Sequence, residues 1–108
     1  MRTQVVIVGG GPSGLLLGQL LHLKGIETII LERKTREYVL GRIRAGILET
    51  GLVNMMREAG VAERMDKECF VHDGTCISYE NEMFDINFQK LIGQNVVVYG
   101  QTEVTRDL

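Results

Sequence analysis

Two short runs of apolar, largely β-branched residues stand near the start of the chain, Val5–Val8 and 28–31. Runs apolar on both faces fit central parallel strands covered by helices on each side. Between them Leu16, Leu17, Leu20, Leu21 and Leu23 give residues 13–24 a broad apolar helical face, and Gly25 supplies a C-terminal cap. The order is strand, helix, strand. Leu48, Leu52, Met55, Met56 and Ala59 recur at helical spacing and predict a second helix over 48–59, stopped by Gly60, with a helical turn at 61–65. From Cys69 to Phe88 the period changes to two, so a hairpin with strands at 70–79 and 83–88 is expected around a polar Glu80-Asn81-Glu82 turn. Gly93-Gln94-Asn95 reads as a further turn and 96–99 as another buried strand. Residues from Gln101 onward start a helix of about two turns, too short to be stable without packing and without a terminal cap.

Between the first strand and the first helix lies Gly9-Gly10-Gly11-Pro12-Ser13-Gly14. A lone glycine pattern of this kind is a weak signal, but its setting strengthens it. Gly9 allows a tight turn, Gly11 removes a side chain that would block a pyrophosphate, and Gly14 lets the helix pack close to the strand. Pro12 suits a first helical turn, and the amides around Ser13 can face phosphate. Gly18 permits close contact with the sheet. Glu32 ends the second strand, 18 residues beyond Gly14. A carboxylate there can accept both hydroxyls of an adenosine ribose. The competing reading is an ordinary βαβ unit with a surface glutamate.

Composition narrows the class. With 108 residues and 44% hydrophobic content the chain reads as one small globular α/β domain. A net charge of −2 gives no reason to expect nucleic acid. Cys69 and Cys76 match neither a redox pair nor a zinc site, so no metal is expected and both read as reduced, partly buried thiols. Strand one follows Met1 almost at once and no apolar run reaches ~18 residues, so neither a signal peptide nor a membrane span is expected, and a cytoplasmic location is. Charge is uneven: Arg33, Lys34, Arg36, Arg42 and Arg44 crowd one window in which Glu37 is the only acid. The forked guanidinium groups of Arg42 and Arg44 suit a pyrophosphate, in a loop bracketed by Gly41 and Gly46 that can approach a ligand closely. For Lys34 and Arg36 a solvated turn is an equal reading. A single histidine on a strand, His72, is by itself usually structural or solvated.

Gly9 to Gly14 with Pro12-Ser13, the leucine-rich helix after it, Leu31-Glu32-Arg33, the Tyr38 to Gly46 segment and Tyr99-Gly100-Gln101-Thr102 onward closely resemble the 4-hydroxybenzoate 3-monooxygenase family of class A flavoprotein aromatic hydroxylases. The resemblance covers the whole chain, and family members are several times longer. It implies a single FAD-binding segment over 1–108, a Rossmann-like βαβ unit with a parallel sheet plus a β-hairpin, incomplete relative to the family. The family activity is hydroxylation of a small aromatic acid, 4-hydroxybenzoate, to 3,4-dihydroxybenzoate, with FAD as cofactor, NADPH as co-substrate and a homodimeric full-length enzyme. By position, the resemblance sets Ser13 and the glycine loop at the pyrophosphate and Glu32 at the ribose. It sets Arg42 and Arg44 on the phosphate side of FAD, with Ala45 and Gly46 beside them. Ile47 falls near the flavin and Gln101 near the ribityl or pyrophosphate region. Arg33, Tyr38, Arg42 and Arg44 match positions linked to NADPH. His72, in Val71-His72-Asp73-Gly74, matches a histidine that ends a proton relay between the substrate phenol and solvent.

Two departures stand out. Gly10 occupies a place where Ser or Ala is common, which predicts a looser loop, and Lys34 stands where a neutral residue is common. The later substrate-binding motifs are absent, so the chain alone is expected to be inactive. The alternative is a freestanding dinucleotide-binding or interaction module that needs a partner chain, and the uncapped last helix favours the segment reading. With few strands to cover Val5–Val8, association or aggregation is expected.

Overall fold

The computed structural model describes residues 2–108. Strand β1 (Val5–Val8) leads through the glycine loop into helix α1 (Pro12–Leu23), which returns to strand β2 (Thr28–Leu31). β1 and β2 pair in parallel, Val5 opposite Thr28 and Val8 opposite Leu31, completing the expected βαβ unit. α1 lies close to this sheet at Gly18, where a Cβ would stand 2.7 Å from Ile30 Cδ1. One expectation fails here. Ile7 and Leu16 are buried between helix and sheet, but Val6 and Leu31 are half exposed and Val8 is 86% exposed. The sheet has two strands and α1 shields only one face, so β1 lacks the double cover its sequence suits.

The chain continues through helix α2 (Arg36–Leu40), strand β3 (Ile47–Glu49), helix α3 (Thr50–Glu58), helix α4 (Glu63–Glu68) and strand β4 (Phe70–His72). Then come the hairpin strands β5 (Gly74–Tyr79) and β6 (Glu82–Asn87), helix α5 (Phe88–Ile92), strand β7 (Val96–Val98) and helix α6 (Gln101–Asp107). β7 is central in a second sheet of order β3-β7-β4, antiparallel to both neighbours. That pairing corrects two boundaries. Residues 47–49 are drawn into the sheet, so the second helix begins at Thr50 rather than Leu48. Phe70–His72 leave the hairpin to pair with β7, and the hairpin proper starts at Gly74. Its turn is Glu80-Asn81, both at positive φ, as a two-residue hairpin connection demands.

Two helices carry too few residues to show a period, and capping reveals them. The Thr35 hydroxyl accepts from Tyr38 N–H at the start of α2, and the Asn87 side chain accepts from Lys90 N–H (2.7 Å) at the start of α5.

The core lies between α3, α4, α6 and the second sheet. Met56, Met65 and Val104 are enclosed there with Leu48, Val53, Ala62, Val97 and Tyr99. Gln19 Nε2 donates to Ala59 O (3.0 Å) and ties α1 to the end of α3. By contrast, residues 75–85 of the hairpin are all exposed, including Cys76, which is therefore not the partly buried thiol expected; Cys69 is half-buried. The radius of gyration is 16.9 Å, against about 13 Å for a compact domain of this size. Phe70, Met83 and Leu91, like Val8, are exposed apolar side chains, the kind of surface behind the expected self-association. Among the described residues no helix is long and apolar enough to cross a membrane.

The Tyr99 side chain is enclosed, and its hydroxyl donates to Asp107 Oδ2 (2.7 Å). Burial, and then this hydrogen bond, push its pKa up to about 12. A raised phenol pKa stabilises the fold fully below the unfolded value of about 10 and loses that contribution as pH rises through the folded value. The melting temperature is therefore expected to fall between pH 10 and 12. Tyr99→Phe, which has no phenolic proton, should flatten that limb in melts followed by circular dichroism.

Candidate cofactor site

A cleft of about 240 Å³ opens beside the N-terminus of α1, lined by Gly11, Glu32, Arg33, Tyr38, Arg42 and Gln101 together with Pro12, Lys34, Val39 and Thr105. Residues up to 94 positions apart thus meet at one place. The reason lies in the topology. The glycine loop follows β1, Glu32 follows β2, and both strands run in parallel, so their carboxyl ends coincide. α6 then brings Gln101 and Thr105 across from the second sheet.

The glycine loop has the geometry its sequence predicts. Gly9 adopts φ +116° and its N–H donates to Leu31 O (2.8 Å), turning the chain over the end of β2. Gly14 packs on the Gly9 carbonyl, and no atom lies within 4 Å of where a Cβ on Gly11 would stand. No side chain caps α1, and its first backbone hydrogen bond runs from Leu15 N–H to Gly11 O. The amides of Ser13 and Gly14 are thus without a backbone acceptor among the described residues, in a position suited to an anion.

Glu32 is engaged more heavily than its sequence position suggests. Gly10 N–H donates to Oε2 and Lys34 N–H to Oε1, each at 2.8 Å. These bonds, the Gly10 one foremost, hold the carboxyl below the usual glutamate range, so it is ionised at neutral pH. At Gly10 they also tie the loop to Glu32. A Cβ there would press on Glu32 Cβ at 3.0 Å, so glycine allows the loop to be pinned. A carboxylate has about four acceptor positions, which leaves two for a ribose.

Among the cations, Arg33, Lys34 and Arg42 line the cleft, and Lys34 Nζ stands 4.9 Å from the Tyr38 ring centroid. None of the five in the basic window forms an ion pair among the described residues. Arg44, Ala45 and Ile47 lie exposed beyond this cleft. Gly46 faces inward against Tyr99 and Gly100, so its small size serves backbone packing at this junction. His72 ends β4 exposed and away from the cleft lining. Sequence reasoning missed Thr105, one turn after Gln101 on α6, whose hydroxyl donates to Gln101 O (2.8 Å). A helical period from Gln101 would have found it.

Residues 2–108 match the family described as FAD binding domain. The chain belongs to this family. Over its whole length this FAD-binding chain is 47% identical to p-hydroxybenzoate hydroxylase of Acinetobacter baylyi and spans 27% of that enzyme. The resemblance drawn from the glycine loop, the 38–46 segment and the last ten residues therefore holds. Among solved structures, Pseudomonas aeruginosa PqsL in complex with 2-aminobenzoylacetate superposes with a TM-score of 0.84 at 19% identity, over 96% of this chain and 29% of that one. The p-nitrophenol 4-monooxygenase of Pseudomonas putida gives 0.71 at 18%, over 95% and 26%. At these identities the structures establish the fold alone, and the FAD-binding assignment rests on the family match.

Proposed function

We propose that this chain is the FAD-binding part of a cytoplasmic, homodimeric, NADPH-dependent monooxygenase that hydroxylates 4-hydroxybenzoate to 3,4-dihydroxybenzoate, and that by itself it is inactive. The observation that carries this reading is the single cleft joining Gly11, Glu32, Arg42 and Gln101. Bare amides, a free ionised carboxylate edge and an unpaired guanidinium are the partners a dinucleotide needs for phosphate, ribose and phosphate again. Bound FAD supplies the hydride acceptance and oxygen activation that side chains cannot. Ser13 and Gly14 amides hold phosphate, Glu32 accepts the ribose hydroxyls, and Arg42 neutralises phosphate charge. Gly9, Gly11 and Gly46 shape the backbone, Gln101 closes the far wall, and Arg44, Ala45 and Ile47 extend the binding surface toward the flavin. Arg33, Tyr38, Arg42 and Arg44 form the cationic approach for NADPH. His72, exposed on its strand, exchanges the substrate's phenolic proton with solvent.

Titration of the purified chain with FAD, followed by flavin fluorescence, tests the cofactor assignment. Charge-assisted hydrogen bonds contribute about 1.5–3 kcal/mol, so Glu32→Ala and Arg42→Ala are each expected to weaken binding about tenfold or more. An affinity insensitive to both substitutions would place FAD elsewhere.

A further inference from the structure

The two faces of α6 have different neighbours. Residues two apart on a helix point about 200° from one another, whereas residues four apart share a face. Gln101 and Thr105 accordingly line the cleft, and Glu103 and Asp107 turn toward α4. There one guanidinium takes both acids: Arg64 Nε donates to Asp107 Oδ1 (2.8 Å) and Nη2 to the Glu103 carboxylate. The second oxygen of Asp107 accepts from the Tyr99 hydroxyl. Tyr99 stands just before Gly100, the residue that caps α6, and its backbone N–H donates to Gly46 O at 2.7 Å. A continuous chain of polar contacts thus runs from α4 through Asp107 and Tyr99 to the end of the Arg42 loop. It joins α6, which carries Gln101 and Thr105, to the end of the loop that carries Arg42.

We propose that Arg64, Asp107 and Tyr99 are positioning residues for the FAD site, locking α6 and the 42–46 loop together so that Gln101, Thr105 and Arg42 are preorganised for the cofactor. The inference rests on the FAD reading of the cleft. None of the three lines the cleft itself, so any effect on binding must pass through α6 and the loop. Exposed ion pairs contribute little to a fold, but this one is forked, joins two helices and has Asp107 at 11% side-chain exposure. A group that orders two walls before the ligand arrives removes part of the ordering cost of binding.

FAD titrations of wild type, Arg64→Met, Arg64→Lys and Tyr99→Phe, each well below its melting temperature, separate positioning from bulk stability. Arg64→Met is expected to raise the Kd for FAD about tenfold, a preorganisation effect. Arg64→Lys, which keeps the charge without the fork, should fall between it and wild type. Tyr99→Phe retains the buried ring and is expected to raise the Kd about threefold. A lowered melting temperature with unchanged Kd in these variants would reduce the cluster to a fold-stabilising role and overturn the proposal. If Arg64→Met does not fold, the other two variants decide. Failure of the wild type to bind FAD would take down the cofactor reading together with the clamp, whereas wild-type binding with unchanged variant affinities defeats the clamp alone.

Discussion

Replacing Met56 by alanine is expected to cost about 2–5 kcal/mol, the range for truncating an enclosed core side chain. Met56 is 0% exposed and sits where α3 meets α4, α6 and the second sheet, among Val53, Met65, Val97 and Val104. The sheet side cannot close the gap without breaking its own pairing, because β7 is held between β3 and β4. Small domains have total stabilities of about 5–15 kcal/mol, and one that leaves β1 uncovered has less to lose. Urea unfolding followed by circular dichroism should show a midpoint far below wild type, or no folded baseline. Met56→Leu conserves volume and is expected to cost under about 1.5 kcal/mol. Equal stability for Met56→Ala and wild type would mean that this cluster is not the core.

Gly46→Ala is expected to be nearly as damaging, for a different reason. A Cβ at this position would run into the carbonyl oxygen of Tyr99 and stand 2.6 Å from both Tyr99 C and Gly100 Cα. These are backbone atoms at the end of β7 and cannot rotate aside. The junction must open, and the Tyr99 N–H to Gly46 O hydrogen bond goes with it. Overpacking costs about 1–3 kcal/mol and a lost hydrogen bond about 1 more, so a loss of about 3 kcal/mol is expected. Because the same junction carries the Arg42 loop, FAD affinity should fall in whatever fraction remains folded. Gly51→Ala is the control. Its Cβ would meet nothing within 4 Å, and within α3 alanine favours helix over glycine by up to about 1 kcal/mol. Unfolding curves that place Gly46→Ala beside Gly51→Ala would contradict the close packing.

Much of the site was legible because its chemistry follows local order. Gly11, Glu32, Arg33, Tyr38, Arg42 and Gln101 were each nominated from motif or family position, and the fold gathers them into one cleft. Thr105 escaped because a threonine in a helix has no distinctive pattern, and its cleft face depends on how α6 docks. The packing of Gly46 against Tyr99 and Gly100 was also not legible: a glycine signals close approach, but the sequence does not name what approaches. The same limit applied to Gly10, whose lack of a side chain makes room for Glu32.

The elements whose signals lie within a few residues could be read from the chain alone. These include the βαβ order, the turn at Gly9, the end of α1 at Gly25 and the hairpin turn at Glu80-Asn81. Each depends on backbone freedom or on periodicity over a single element. Tertiary structure alone decided that Val96–Val98 pairs antiparallel with Ile47–Glu49 and Phe70–His72, which shortened one predicted helix and one predicted hairpin strand. It also decided that Val5–Val8, a sequence fit for a covered strand, is left open on one face. Strand pairing joins residues 24 to 51 positions apart, and a run of β-branched residues states that it will pair without stating with what.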